Sequence, residues 1–223
     1  MLAERFQGGE RFARLVAGDE SKNRCTWLIM TSEENHNETV EFFAANDFFG
    51  IKDQLLFFPQ GMLPALDFEG KIIMESPGKI SRSGNGNGGL LEAFRVRKDI
   101  QALVQERGIE FMQIFGVDNI LAKFLDPLMI GAMVDTKAAA MAKVVPKRAP
   151  EEKVGVFVRK NGKYDMVEYI EIGEELSKRK DSEGRLMFRD GNIVVFTLTT
   201  DFLFDGLVTD PEKMEALSRE FHV

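Results

Sequence analysis

Short apolar runs of strand length recur along this chain, separated by segments whose apolar residues fall at helical spacing. That alternation constrains the fold most, because strands joined by crossover helices build an α/β domain on a largely parallel sheet. The apolar or β-branched runs are Cys25–Met30, Gln54–Phe58, Phe111–Val117 and Asn192–Leu198. Residues 1–17 read as an amphipathic helix ending before Gly18, and residues 37–46 carry Val40, Phe43 and Ala44 on one helical face. Ala93, Val96, Ile100, Leu103 and Val104 keep helical spacing up to a stop at Arg107-Gly108. Asp126-Pro127 is a capping residue followed by proline at the first helical position, opening a helix to about Val134. Asp210-Pro211-Glu212 opens a last helix, with Met214, Leu217 and Phe221 at helical spacing. Turn signals at Glu69-Gly70 and Asn161-Gly162 add hairpins, the second joining Val154–Arg159 to Tyr164–Ile172, so the sheet is expected to be mixed. Residues 174–185 read as a solvated helix and loop. In such folds ligands bind beyond the C-terminal strand ends, here the loops after Phe58, Met74, Val117 and Leu198.

Composition narrows the function classes. With 223 residues the chain can bury a sizeable core without staples. A formal charge of −7 argues against a general nucleic-acid binder, whose phosphate affinity needs surplus Lys and Arg. One cysteine excludes an internal disulfide. One cysteine with two histidines, His36 and His222, excludes a zinc finger or a three-histidine zinc centre, leaving a carboxylate-bound ion such as magnesium. No apolar run approaches the roughly 20 residues of a bilayer span, and the N-terminal residues have no signal-peptide core. A cytoplasmic protein, with no membrane partner, is the expectation.

Three places could carry chemistry. Gly84–Gly89 has glycine at four of six positions just before a helix. Glycine permits close approach to the backbone, and a helix start offers free N–H donors, so a polar ligand edge could sit there. A surface turn would look the same, and neither the Walker A pattern nor the dinucleotide fingerprint is present. Asp118, at the end of a buried strand, could bind a magnesium ion that grips substrate phosphates, or it could simply cap a helix. Glu168 shares a strand face with Met166 and Ile170 by alternation. Its carboxylate needs a partner, which sugar hydroxyls, a basic side chain or solvent could supply. Cys25 is read as packing rather than as a nucleophile, and His36 as a solvated loop residue.

A set of ordered motifs then carries a resemblance. Phe57-Phe58-Pro59-Gln60-Gly61-Met62-Leu63-Pro64-Ala65 is followed by Gly86-Asn87-Gly88-Gly89-Leu90. Val117-Asp118-Asn119-Ile120-Leu121, with Lys123 and Asp126-Pro127, comes next. Val154-Gly155-Val156, Val167-Glu168-Tyr169 and Gly191-Asn192-Ile193 complete the series. Together they resemble the eukaryotic UDP-N-acetylglucosamine pyrophosphorylases, over roughly Trp27 to Phe196. The resemblance implies a Rossmann-like nucleotide-diphospho-sugar transferase core with a mixed, mainly parallel sheet. It implies transfer of uridylyl from UTP to N-acetylglucosamine 1-phosphate, with magnesium or manganese as cofactor. Gln60 and Gly86 match positions that read uracil, and Asn87 one beside sugar and nucleotide. Asp118 matches the aspartate near phosphates and metal, while Gly155, Glu168 and Asn192 match the sugar side.

The departures set a second expectation. Family members carry, ahead of this region, a GGxGTRLG loop and a Pro-Lys-Gly that hold the UTP phosphates. The 223 residues contain neither, and Gly8-Gly9 is followed by Glu10-Arg11-Phe12. The family's later catalytic lysine and C-terminal domain also have no counterpart. Losing one preorganised donor costs about 10²–10³ in rate. The expectation is therefore a partial catalytic domain over residues 1–223, inactive or weakly active alone. The alternative is a fragment that binds a UDP-sugar or a partner chain without turnover.

Overall fold

The run at Cys25–Met30 becomes β1 (Trp27–Thr31), and Gln54–Phe58 becomes β2 (Leu55–Pro59); the two pair in parallel from Trp27↔Leu55 to Thr31↔Pro59. The computed structural model describes residues 1–17, 25–86, 88–160 and 162–204, so the expected helix at 210 lies outside the described residues. The first helix, α1, runs Leu2–Ala17. The chain divides into two compact units. One comprises Phe6–Ile109 with the residues from Leu203, the other Met1–Arg5 with Glu110–Phe202.

In the first unit, α2 (His36–Ala45) crosses between β1 and β2. Phe43 is the reason it packs there. Its ring meets Trp27 of β1 edge-on at 6.0 Å, Phe57 of β2 at 5.0 Å and Phe49 at 5.3 Å. Phe6 stacks on the Trp27 ring at 5.6 Å, and Phe58 is fully buried. Such aromatic pairs add about 0.5–1.5 kcal/mol each beyond area burial. Short antiparallel pairs follow: β3 (Met62–Pro64) with β6 (Arg82–Gly84), and β4 (Met74–Ser76) with β5 (Lys79–Ile80). The hairpin expected at Glu69-Gly70 is reduced to one bridge, Leu66↔Ile72. Its turn is held by Asp67, whose carboxylate accepts from the amides of Glu69 and Lys71.

The helix expected to run unbroken to Arg107 is two helices, α3 (Gly89–Val96) and α4 (Lys98–Glu106). Side-chain chemistry breaks it at Arg97. Gln101 Nε2 donates to the carbonyls of Phe94 (2.7 Å) and Arg95 (2.9 Å), satisfying the end of α3. The Arg97 guanidinium makes a two-pronged bond to Asp99. Leu91, Ala93 and Phe94 face the core from α3, and Ile100 and Val104 from α4; Val96 is exposed.

The second unit is an antiparallel sheet centred on β11 (Asp190–Thr199). β7 (Phe111–Phe115) and β8 (Ala140–Pro146) pair with it, and β9 (Val156–Lys160) joins at Gly191↔Val156. β10 (Lys163–Val167) pairs antiparallel with β9, as the hairpin reading expects. α5 (Pro127–Thr136) starts as read: Asp126 caps it by accepting from the Leu128 amide at 3.1 Å, with Pro127 at its first position. Met129 and Met133 bury its inner face. α6 (Glu174–Lys178) opens the solvated segment.

The α/β class stands, but the expected balance of strand directions does not. Among the described residues, parallel pairing is confined to β1 and β2, and all other pairs are antiparallel. An apolar run marks a strand without marking its direction. No described helix is long and apolar enough to cross a membrane.

Candidate functional site

Gln60 follows β2 directly, and its amide extends the parallel ladder by donating to Thr31 O at 2.7 Å. Its side chain lies across Gly84 at the end of β6, where any Cβ would overlap the Gln60 amide nitrogen. Gly86, at φ +73, turns the chain toward α3, and the Gly89 amide donates to its carbonyl at 3.1 Å. A left-handed φ favours glycine there. Asn87 lies outside the described residues. The structure thus brings Gln60 and Gly86 onto adjoining segments, one before β3 and one after β6.

Asn85 was not singled out by sequence, yet it is the buried polar residue of this loop, at 6% exposure. Its amide NH₂ donates to Glu92 of α3 at 2.8 Å, and its backbone amide donates to Gly61 O at 3.0 Å. An asparagine among glycines reads as a turn residue, so pattern alone gives no sign of burial.

In the second unit, Asp118 stands exposed beyond the end of β7, on turns in which Asn119 N donates to Gly116 O and Ile120 N to Asp118 O. It caps no helix, since α5 takes Asp126 instead. A Cβ at Gly116 would come within 2.5 Å of its carboxylate. No group of three or more potential ligands forms among the described residues. A single exposed carboxylate suits an ion that arrives with phosphates, because magnesium takes one or two carboxylates and keeps the rest for water and substrate. It does not suit a cage built from protein alone.

Gly155, Glu168 and Asn192 come together. The Asn192 amide donates to Gly155 O at 2.8 Å, and both Glu168 carboxylate oxygens lie 3.2 Å from where a Gly155 Cβ would stand. The placement of Glu168 on a strand face is corrected. β10 ends at Val167, and the Glu168 carbonyl accepts from the amides of Glu171 and Ile172 in a tight turn. Alternation therefore fails: Met166 is buried while Ile170 is exposed. Glu168 is half-buried and makes no ion pair among the described residues. The Asn192 carboxamide is held locally, its oxygen accepting from Val194 N at 2.9 Å and its NH₂ facing the Met166 sulfur. Val194, at φ +52, lies in a bulge of β11 that re-aims this end of the strand.

Asp126 binds the Lys143 ammonium as well as the Leu128 amide, and the lysine bond above all holds its carboxyl below the usual range. Burial pushes the Cys25 thiol up to about 11, with Glu10 adding to the effect, so it is no nucleophile. His36 is not a solvated loop residue. It is the first residue of α2, half-buried, with Nδ1 2.8 Å from Thr31 Oγ1.

Residues 17–207 match the family described as UTP–glucose-1-phosphate uridylyltransferase. UDP-N-acetylglucosamine diphosphorylase 2 of Arabidopsis thaliana is 38% identical over 208 residues, 90% of this chain and 41% of that protein. UDP-N-acetylglucosamine pyrophosphorylase of Saccharomyces cerevisiae is 39% identical over 186 residues, 82% of this chain and 39% of that protein. Among solved structures, the Entamoeba histolytica protein titled a putative UDP-N-acetylglucosamine pyrophosphorylase superposes with TM-score 0.83 at 34% identity, over 96% of this chain and 52% of that one. A Leishmania major UDP-glucose pyrophosphorylase mutant, at 18% identity and TM-score 0.61 over 90% of this chain and 44% of that one, shares the fold. The chain spans about two-fifths of the length of the curated relatives it matches. With most of its residues inside the family match, the chain belongs to the UTP–glucose-1-phosphate uridylyltransferase family.

Proposed function

We propose that this chain carries the uridine- and sugar-recognition residues of a UDP-N-acetylglucosamine pyrophosphorylase. The reaction is UTP plus N-acetylglucosamine 1-phosphate giving UDP-N-acetylglucosamine and pyrophosphate. The observation that carries the reading is the Glu168 carboxylate, half-buried against Gly155 without a cation among the described residues. Hydroxyl donors of a sugar would satisfy it. Identity of 34–39% to proteins named as UDP-N-acetylglucosamine pyrophosphorylases, against 15–18% to the UDP-glucose pyrophosphorylase structures, favours the amino-sugar branch.

The roles follow from donor and acceptor chemistry. The Gln60 carboxamide offers one donor and one acceptor to the imide edge of uracil, and Gly86 lets a ring approach the backbone. Asn192 NH₂, now facing a thioether, would exchange that weak acceptor for a sugar oxygen. An oxygen of the sugar phosphate attacks the α-phosphorus, the bond to the β-bridging oxygen breaks, and pyrophosphate leaves. Such transfer runs on positioning and charge neutralisation, so no protein nucleophile is needed. Asp118 would hold the magnesium or manganese ion, which when bound neutralises charge on the phosphates.

Calorimetric titration of the folded chain tests the reading. UDP-N-acetylglucosamine is expected to bind more tightly than UDP-glucose, and Asn87→Ala to weaken it. Equal affinity for the two would overturn the branch assignment, and no binding of either would overturn the recognition roles. Binding without pyrophosphate release from UTP and N-acetylglucosamine 1-phosphate would leave a binding chain in place of an enzyme.

A further inference from the structure

We infer that Asn85 is a positioning residue, whose bond to Glu92 holds the segment carrying Gln60 in register with the loop carrying Gly86. The inference rests on the uridine-recognition reading of those two residues. Asn85 is buried, and its side chain is wedged between two glycines. A Cβ on Gly61 would come within 2.8 Å of its Nδ2, and a Cβ on Gly89 would overlap its Oδ1. Gly61 directly follows Gln60, and Gly89 opens α3. The Asn85 backbone amide donates to Gly61 O, so the main chain ties the loop to the Gln60 segment while the side chain, lying against Gly61, ties it to α3.

The polarity of the clamp is set. Nδ2 donates to Glu92 Oε2 at 2.8 Å, while Oδ1 is buried with no hydrogen-bond partner among the described residues. A bond to a charged acceptor is worth more than a neutral one, and breaking it inside a loop leaves a buried group unsatisfied. Glu92 itself is exposed one turn into α3 and makes no ion pair among the described residues. It is therefore free to act as the acceptor that orients the carboxamide. An apolar filler of the same volume could not transmit this orientation.

Reversal of polarity tests the clamp. Asn85→Asp sets one carboxylate against another with little change of shape. UDP affinity is expected to fall about tenfold. Glu92→Gln alone keeps a neutral acceptor oxygen and costs less than Asn85→Asp. The double variant Asn85→Asp/Glu92→Gln restores a bond with donor and acceptor exchanged, and with it most of the affinity.

Amide hydrogen exchange needs no ligand and separates the two readings. The Asn85 and Gly89 amides are expected to exchange faster in Asn85→Asp and to regain protection in the double variant. Glu92→Ala removes the acceptor by a change at an exposed helix position and reproduces the faster exchange. Equal protection in all variants, or a double variant as weak as Asn85→Asp, would overturn the clamp. Protection that follows the pattern in a chain indifferent to UDP would uphold the clamp and overturn uridine recognition.

Discussion

Four polar side chains of the candidate loops lie against a glycine: Gln60 on Gly84, Asn85 between Gly61 and Gly89, Asp118 on Gly116 and Glu168 on Gly155. None of these five glycines has a positive φ, so room, not backbone freedom, is what they supply. Gly84→Ala follows directly. The clash falls on the far end of a flexible side chain, so the new methyl displaces the Gln60 amide at little cost to the fold. Melting temperature should change by only a few degrees, while uridine nucleotide affinity drops about tenfold for one lost bond. Parallel loss of both, read by thermal melting and calorimetry, would mean Gly84 serves the fold alone. A second residue-scale outcome concerns Cys25. With its thiol pushed up to about 11, the native chain should resist a disulfide-exchange reagent at pH 7.5 and react once unfolded. Rapid labelling of the native chain would contradict the raised thiol.

Between α5 and β8, one residue joins two elements. Asp126 caps the helix and binds Lys143 of the strand, so its ionised form is favoured by folding. The sign is that of a depressed carboxyl. Its contribution is complete above the unfolded value near 3.9 and is lost as pH falls through the lower folded value. Asp126→Ala should cost about 2 kcal/mol at neutral pH by denaturant titration, and the deficit relative to the unmodified chain should shrink in acid. A deficit that persists unchanged at pH 2 would assign the effect to packing. This cap was legible in sequence because Asp-Pro before an apolar run is a local signal; the pairing of β9 with β10 was legible from the Asn-Gly signal between them. β8 was not legible: Ala140-Met141-Ala142 favours helix by propensity, and pairing with β11 makes the segment a strand. The break at Arg97 was hidden for the opposite reason. The apolar spacing runs through it, while the Gln101 and Arg97 side-chain bonds that end α3 have no periodicity. Glu168 was found by motif but misplaced, because alternation cannot tell where a strand stops.

At the scale of the molecule, the chain carries −7, so on the proposed reading, in which the ligand is an anion, affinity cannot rest on its overall field. Local groups have to divide the work. Gln60 and Gly86 lie in one compact unit, and Gly155, Glu168 and Asn192 in the other. The resemblance assigned uracil to the first set and sugar to the second, on motifs far apart in sequence. Each set is locally coherent in the structure: Gln60 and Gly86 occupy adjoining segments, and Asn192 bonds Gly155 beneath Glu168. Ligand dissection tests each set by itself. Gln60→Ala should weaken UDP and UDP-N-acetylglucosamine alike, by about tenfold for one carboxamide's bonds. Glu168→Ala should weaken only UDP-N-acetylglucosamine, by about 10–100-fold for bonds to a charged acceptor, and leave UDP unchanged. Titration of both ligands into both variants reads the four values directly. If Glu168→Ala lowered UDP affinity as much as that of the sugar nucleotide, Glu168 would serve loop structure or the phosphates. The sugar assignment would then fail even though the family membership stands.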